Sequence, residues 1–239
     1  MENSGNIRYK FDKKGGGYIV VIASAINGGV DIPSVYNDGK NGEHPVVEIG
    51  NEAFALSDAE YVRIPENVVK ISIDALYAYV ALENIFVDEN NPVYKSIDGN
   101  LYSKDGESLI KYPQGKVDLS FTVPDGVTDI CESAFDGCPH LKNVVISDSV
   151  RFIGANAFKW CSLEEAKFPT AYNWVLTSYI GGTPQNVGWL SADCLKNGKI
   201  AAKYLCEKYS GYMWTPVSEI PDDPEIKNLE IIKKRGKKI

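Results

Sequence analysis

A short motif that recurs along the chain constrains its fold more than any other feature. The stretch AFDGC at 134–138 is followed by AFKWC at 157–161, so a Phe and a Cys return at the same separation. Such a recurrence has two explanations: a metal or redox device built from cysteines, or the period of a repeated structural unit. The residues around the two stretches decide between them.

The segments around the motif favour a repeated unit of about 22 or 23 residues. Both segments carry an Ile four positions before an Ala-Phe pair and a Cys three positions after the Phe, followed by alternating apolar residues. A unit of this length buries its apolar side chains only when neighbouring copies stack, so the pattern predicts a solenoid. Its elements are mostly short β-strands with short helical or irregular connections. Four copies can be recognised, beginning at Val46, Val68, Val127 and Val150.

The cysteine pattern argues against the metal or redox explanation. Five cysteines are an odd number in a long chain, which does not indicate a disulfide framework. None forms a C-x-x-C pair, and neither histidine has metal-ligand spacing from a cysteine pair. We therefore expect free buried thiols, no metal site and no cofactor. A disulfide between Cys138 and Cys161 in stacked coils is the less favoured alternative.

The segments outside the clear copies predict ends and an interruption. Residues 91–116 contain DGN and DG sequences between short strand-like runs, which are hairpin signals. A solenoid also needs ends that cover its core. The predicted boundaries are an N-terminal β-hairpin cap at 1–29, the solenoid at 30–175 with a hairpin insertion at 91–116, a C-terminal cap at 176–220 with a helix at about 191–209 that begins at Ser191, and a mobile tail at 221–239.

Charge and hydropathy exclude two classes of partner. The formal net charge of −7 argues against a general nucleic-acid binder, which needs a positive face to neutralise phosphates. No apolar run approaches the roughly 20 residues that span a bilayer. The first residues, MENSGNIRYKF, lack the basic stretch and apolar segment of a secretory signal. We expect no nucleic-acid partner and no membrane span, in a chain that is either cytoplasmic or without its natural leader.

No catalytic motif is present in the sequence. There is no G-x-S-x-G, no H-E-x-x-H, no phosphate-binding glycine loop and no Cys/His pairing at catalytic spacing. The sequence therefore predicts that the protein is not an enzyme.

The outward position of each predicted strand offers a better indication of function. The residue between two inward residues of a strand faces solvent, and stacked strands place such residues about 4.8 Å apart on one sheet face. Interaction surfaces are enriched in aromatic residues and Arg. The alternative is an ordinary solvated face, because single exposed apolar residues are normal. The candidate ligand-binding residues are Asp31, Arg63, Phe86, Thr122, Val145 and Lys167.

The motif IGxxAFxxCxxLxxVxIP, together with DGNLYSKDGESLIKYPQGK, resembles the leucine-rich repeat proteins of the BspA type. The resemblance covers about 30–175. It departs from the pattern at Leu76, where Phe is usual, at Ala59, where Leu is usual, and at Cys131, which takes a Gly-like place. The resemblance implies a leucine-rich-repeat stack with a β-hairpin insertion and a C-terminal helical cap. We interpret the three departures as local irregularities.

The same resemblance implies a function and a location. Proteins of this type are often bacterial surface proteins, so it implies an extracellular or cell-surface adhesin-like module that binds a protein or a glycan, host extracellular matrix included. Two other hypotheses stay open at this point. One is a rigid spacer or assembly element of a larger surface protein, and the other is an intracellular scaffold, which the missing signal peptide and the free thiols favour.

Overall fold

The computed structural model describes residues 6–24, 27–55, 57–76, 81–169, 171–180 and 183–218, and these are built mostly from strands. The chain divides into two units. The first comprises Met1–Val117 and Gly137–Pro139, and the second comprises Asp118–Asp136 and His140–Ile239. The tail predicted at 221–239 lies outside the described residues, and the boundaries of the caps and the solenoid stay predictions.

The strands of the first unit form parallel rows and antiparallel hairpins. They are β1 Asn6–Asp12, β2 Gly17–Ser24, β3 Asn27–Asp31, β4 Val35–Asn37, β5 Glu43–Ile49, β6 Asp58–Ile64, β7 Lys70–Ile71, β8 Asn84–Val87, β9 Tyr94–Ile97, β10 Asn100–Ser103 and β11 Ser108–Lys111. Strands β2, β5 and β7 form one parallel row, with β1 antiparallel to β2 and β4 antiparallel to β5. Strands β3, β6 and β8 form a second parallel row.

The parallel rows follow from the repeat, because each copy supplies one strand to each row. In β6 the burial alternates, with Val62 and Ile64 inside and Arg63 outside. The inward residues of successive copies stack into one apolar cluster that includes the following buried side chains: Ile49, Phe54, Val62, Ile64, Leu82 and Ile85. This burial stabilises copies that are too short to fold alone.

Residues 94–111 form antiparallel strands, since β10 pairs with both β9 and β11. The turn between β9 and β10 consists of Asp98 and Gly99, which both have left-handed backbone angles, with φ of 51° and 74°. Two-residue hairpin loops of this kind favour Asp-Gly, which explains why the DGN sequence is a hairpin signal. That these strands are an insertion between copies stays a prediction.

The second unit repeats the parallel rows and adds helices. Its elements are β12 Ser120–Thr122, β13 Asp129–Ile130, β14 Asn143–Val145, β15 Phe152–Ile153, β16 Glu165–Lys167, β17 Asn173–Ile180, β18 Thr183–Leu190, α1 Ala192–Leu195, α2 Gly198–Lys203, a π-helical turn at Tyr204–Lys208, and β19 Met213–Val217. Strands β12, β14 and β16 are parallel, as are β13 and β15, whereas β17 is antiparallel to β18 and β19. No helix among the described residues is both long and apolar enough to cross a bilayer.

The segment predicted as one helix at about 191–209 is divided in the structure. Ser191 caps α1 by accepting a hydrogen bond from the Cys194 amide, as the sequence predicts. Asn197 then accepts from the Ile200 amide and caps α2 in the same way. The second cap interrupts the helical pattern because an Asn in extended backbone starts a new helix.

The turn that precedes each Ala-Phe pair has the same conformation in three copies. Glu52, Ser133 and Asn156 occupy equivalent positions and have φ of 54°, 56° and 57°. In the second unit, the ring of Phe135 stacks on that of Phe158, with centroids 4.6 Å apart and planes 8° apart. The Phe therefore recurs because each coil places the same inward ring against its neighbour.

None of the five cysteines forms a disulfide. The prediction of buried thiols is correct for Cys138 and Cys206 only, because Cys131, Cys161 and Cys194 are half-buried. The Cys161 thiol donates a hydrogen bond to the Phe135 carbonyl oxygen at 2.9 Å. Burial raises the pKa of the Cys131 thiol to about 11, and hydrogen bonding to Cys161 raises the pKa of Cys206. These two raised pKa values keep Cys131 and Cys206 protonated and unreactive at neutral pH.

Candidate functional site

The six candidate surface residues fall into two sets of three, one in each unit. In the first unit Asp31 of β3 lies beside Arg63 of β6, and Arg63 lies beside Phe86 of β8. All three side chains are exposed, because they alternate with residues that point into the core. We call these three residues the first row.

The Arg63 side chain is held by its neighbours on both adjoining strands. Its Nε lies 3.1 Å from Oδ1 of Asp31. Its guanidinium carbon lies 4.7 Å from the ring centroid of Phe86 and 5.1 Å from that of Tyr61. Contacts of a cation with exposed rings contribute about 0.5–1 kcal/mol each, and an exposed ion pair contributes the same or less. Together they restrict a long side chain that would otherwise move through many rotamers.

Tyr61 belongs to the same surface, although the sequence analysis did not single it out. A Cβ added to Gly29 would lie 1.8 Å from the Tyr61 ring, so the ring lies directly across Gly29 on the neighbouring strand. The Tyr61 and Phe86 rings meet edge to face, with centroids 5.9 Å apart. The sequence signal for this arrangement is the Gly-Gly pair at 28–29, because glycine leaves room for a ring above the sheet.

A cleft of about 280 Å³ lies beside the first row. Its walls are formed by the ends of strands β3, β6 and β8 and the residues that follow them. The lining residues are Asp31, Ile32, Arg63, Ile64, Pro65, Phe86, Val87 and Asp88. Asp88 is a second carboxylate at this site. It also shapes the turn that follows β8, since its Oδ1 accepts a hydrogen bond from the Asn90 amide at 2.8 Å.

A buried asparagine fixes the loops that border the cleft. Asn91 is fully buried, and its Nδ2 donates to the carbonyl oxygens of Pro65 at 2.9 Å and Val68 at 2.8 Å. Its Oδ1 accepts from the amides of Val93 at 2.9 Å and Tyr94 at 2.8 Å. All four hydrogen bonds are satisfied, so this amide ties the loop after β8 to the loop after β6.

The second row lies in the second unit and consists of Thr122, Val145 and Lys167 on β12, β14 and β16. The three residues are in register, as in the first row. Thr122 and Lys167 are exposed, and Val145 is half-buried. Within the described part of the chain, no ion pair or ring contact joins these three side chains. The second row therefore has the geometry of the first without its linked side chains.

The cleft beside the first row combines one guanidinium, two carboxylates and an aromatic ring. Its eight lining residues include no Ser, Cys or His. Groups of these kinds offer charge, hydrogen bonds and stacking to a neighbouring molecule.

Several solved structures of leucine-rich repeat proteins are similar to this chain. A protein from Eubacterium ventriosum ATCC 27560 is 24% identical, with a TM-score of 0.48, over 59% of this chain and 42% of that protein. The chain thus spans less than half of that relative. A leucine rich cell surface protein from Faecalibacterium prausnitzii A2-165 is 18% identical, with a TM-score of 0.31, over 71% of this chain and 76% of that one. The pneumococcal vaccine antigen PcpA is 16% identical, with a TM-score of 0.38, over 71% and 70% of the two chains.

Among curated proteins none matches the chain. The family described as BspA type Leucine rich repeat region matches residues 42–113 and 118–179, which together are more than half of the chain. The family pattern matches six copies, whereas four can be recognised directly in the sequence. The first matched segment includes the antiparallel strands β9 to β11. The repeated fold, the shared motif and this match together show that the chain belongs to the BspA-type leucine-rich repeat family.

Proposed function

We propose that the chain is a non-enzymatic binding module, in which the first row, Tyr61 and the adjoining cleft receive a protein or glycan ligand. The observation that carries this proposal is the Arg63 guanidinium, held against two aromatic rings and one carboxylate at the rim of a cleft. The Arg63 guanidinium has five N–H donors, and its Nε lies beside the Asp31 carboxylate. The N–H groups that do not face Asp31 are proposed to donate to carboxylates, carbonyls or hydroxyls of a ligand.

Preorganisation supports the same proposal. A ligand that binds a mobile arginine must immobilise it, at a cost of about 0.5–1.5 kcal/mol for a side chain of this kind. At this site the neighbouring rings have already restricted Arg63. Partly exposed aromatic residues beside an arginine are also the composition of binding hot spots.

Family membership supports the absence of catalysis and a location at the cell surface. Leucine-rich repeat modules generally bind partners or build structures, and their curved stacks offer extended faces for that purpose. We place this chain outside the cell or at its surface as a proposal that rests on the family. Host extracellular-matrix proteins and glycans are the ligands to test first.

We also propose roles for the segments at the two ends of the repeats and for the strands that interrupt them. The hairpin β1–β2 and the helices α1 and α2 are proposed to cover the terminal coils, and β9 to β11 to form an insertion. Support for the helical cap comes from Gly198 at the start of α2, where an added Cβ would lie 2.4 Å from Cγ of Glu165. The helix thus abuts β16, and its residues Ala201 and Ala202 are buried.

The test is a binding screen of the purified chain on immobilised matrix proteins and a glycan array. The variant Arg63→Glu/Phe86→Ala removes the held cation and the ring. The matched control Thr122→Ala/Lys167→Glu makes comparable changes in the second row. We expect the first variant to lose affinity about tenfold or more, as for hot-spot residues, and the control to bind as the native chain does.

Circular dichroism and a melting curve of each variant show whether folding is intact. Binding that the first variant keeps in full would contradict the proposal for this face. Absence of binding to every immobilised ligand would favour the second candidate, a rigid spacer or assembly element within a larger surface protein, which the same repeat architecture suits.

A further inference from the structure

Trp160 places a large, exposed side chain at a left-handed turn position, and packing does not explain this choice of residue. Its φ is 58°, in the left-handed region that side chains other than glycine rarely adopt. The equivalent position of the preceding copy is Gly137, with φ of 72°. The repeat thus requires a left-handed residue here, and this copy supplies the largest side chain instead of the smallest.

The strained turn is held firmly by its neighbours. The Phe158 side chain is buried, and its carbonyl oxygen accepts a hydrogen bond from the Cys161 amide at 3.3 Å. The Lys159 amide donates to the Asn156 carbonyl oxygen at 3.0 Å. Residues on both sides of Trp160 are therefore anchored, and the indole is carried on a fixed turn.

The fold gains little packing from this side chain. Trp160 is 64% exposed, whereas the other three tryptophans of the chain, Trp174, Trp189 and Trp214, are buried. The strained backbone costs stability and the exposed indole contributes little burial in return, so a role in recognition is the simplest account of their combination.

A cation accompanies the exposed indole. The Lys159 Nζ lies 4.3 Å from the centroid of the Trp160 ring. Among the residues that the structure describes, no carboxylate pairs with Lys159, although the chain has a net charge of −7. The pair therefore offers a broad apolar ring and, within one side-chain length, a positive charge for an anionic group of a ligand.

We propose that Trp160 and Lys159 bind a carboxylated sugar residue of a glycan. The flat, apolar C–H face of a pyranose matches an indole face in size, and the electron-rich ring attracts its polarised C–H bonds. A carboxylate on the same sugar then reaches the Lys159 ammonium. An acidic peptide would use the lysine but would have no need for so broad a ring. This site lies in the second unit and does not rest on the function proposed for the first row.

Titration calorimetry with trigalacturonate and with sialyllactose tests the site. Their neutral counterparts, the methyl esters of the same two sugars, separate the charge from the ring. We expect at least one acidic sugar to bind and its neutral counterpart to bind about tenfold more weakly. Binding should also protect the exposed indole from acrylamide quenching, because the other tryptophans are already buried.

Four variants assign the contributions. Trp160→Gly should abolish binding without lowering the melting temperature, because glycine adopts this φ without strain. Lys159→Gln should lower the affinity for the acidic sugar to that for the neutral one. The control Tyr179→Ala removes another aromatic side chain of the same unit, 63% exposed, and should leave binding unchanged. Arg63→Glu/Phe86→Ala should also leave it unchanged, which separates this site from the first row.

Any of three results would overturn the proposal. The first is no binding to any acidic sugar. The second is binding of an acidic sugar that Trp160→Gly retains. The third is that an acidic peptide or vesicles containing phosphatidylserine bind through Trp160 while both sugars do not, which would assign the turn to another class of partner.

Discussion

The first and second rows have the same backbone geometry and different chemistry. In each, three parallel strands in register present one side chain apiece to the same face. Among the described residues, an ion pair and ring contacts link the side chains of the first row, which lies beside a cleft, and neither kind of contact joins those of the second row. The repeat therefore determines where side chains stand, whereas their identities and a supporting glycine determine whether they contact one another.

The largest effect on stability is expected at Asn91, which ties the loop after β8 to the loop after β6. Asn91→Ala would remove four buried hydrogen bonds in the first unit. It would leave two backbone carbonyl groups and two backbone amide groups without their partner. We expect a loss of about 3 kcal/mol in the free energy of unfolding, measured by urea denaturation. The corresponding loop of the second unit uses Ser149, whose Oγ donates to the Val127 carbonyl oxygen at 2.8 Å.

Ser149→Ala is the matched control for Asn91→Ala. Because it removes a half-buried hydroxyl, its expected cost is about 1 kcal/mol. Equal losses in the free energy of unfolding for the two variants would show that the buried Asn91 amide stabilises its loops no more than the Ser149 hydroxyl stabilises the corresponding loop.

A smaller effect is expected where neighbouring copies approach each other. A Cβ on Gly154 would lie 2.3 Å from the Glu132 amide nitrogen, which cannot move aside easily. Gly154→Ala should therefore lower the free energy of unfolding by about 2 kcal/mol through overpacking.

Gly50 occupies the equivalent position in the first unit and provides the comparison. Its added Cβ would meet the Val20 carbonyl oxygen at 3.1 Å, which a small shift relieves. Gly50→Ala should cost less than half as much as Gly154→Ala when both are measured by thermal unfolding. The reverse order would mean that the copies adjust more readily than their close contacts indicate.

The smallest effect concerns the ion pair of the first row. Asp31→Asn removes the charge but keeps the Oδ1 acceptor near Nε of Arg63. Both side chains are more than half exposed, so the free energy of unfolding should fall by about 0.5 kcal/mol or less. A loss well above 1 kcal/mol in chemical denaturation would show that the carboxylate, and not the rings, holds Arg63.

The register of both rows could be predicted from sequence, because strand alternation and the repeat period together determine which residue faces outward. The contacts that link the side chains of the first row could not be predicted in this way. Tyr61 lies over Gly29 only because β3 and β6 pair with an irregularity between Gly28 and Gly29, which no single-strand pattern reveals.

Two further features, the alignment of Trp160 with Gly137 and the spacing of the cysteines, are present in the sequence, but their structural meaning could not be inferred from it. The alignment of Trp160 with Gly137 is present in the motif itself, yet its meaning depends on the left-handed φ at both positions. The raised pKa values of the thiols arise from burial and hydrogen bonding, for which the spacing of cysteines gives no measure.

The common left-handed turn at Glu52, Ser133 and Asn156 has a consequence for how such a chain changes in length. Since these three copies pass through the turn with nearly the same backbone angle, duplication or deletion of a whole copy preserves the inward and outward positions of the others. An insertion of one residue within a strand would instead turn core side chains toward water. Such a gene can therefore evolve in whole-repeat steps, while single-residue insertions in its strands are selected against.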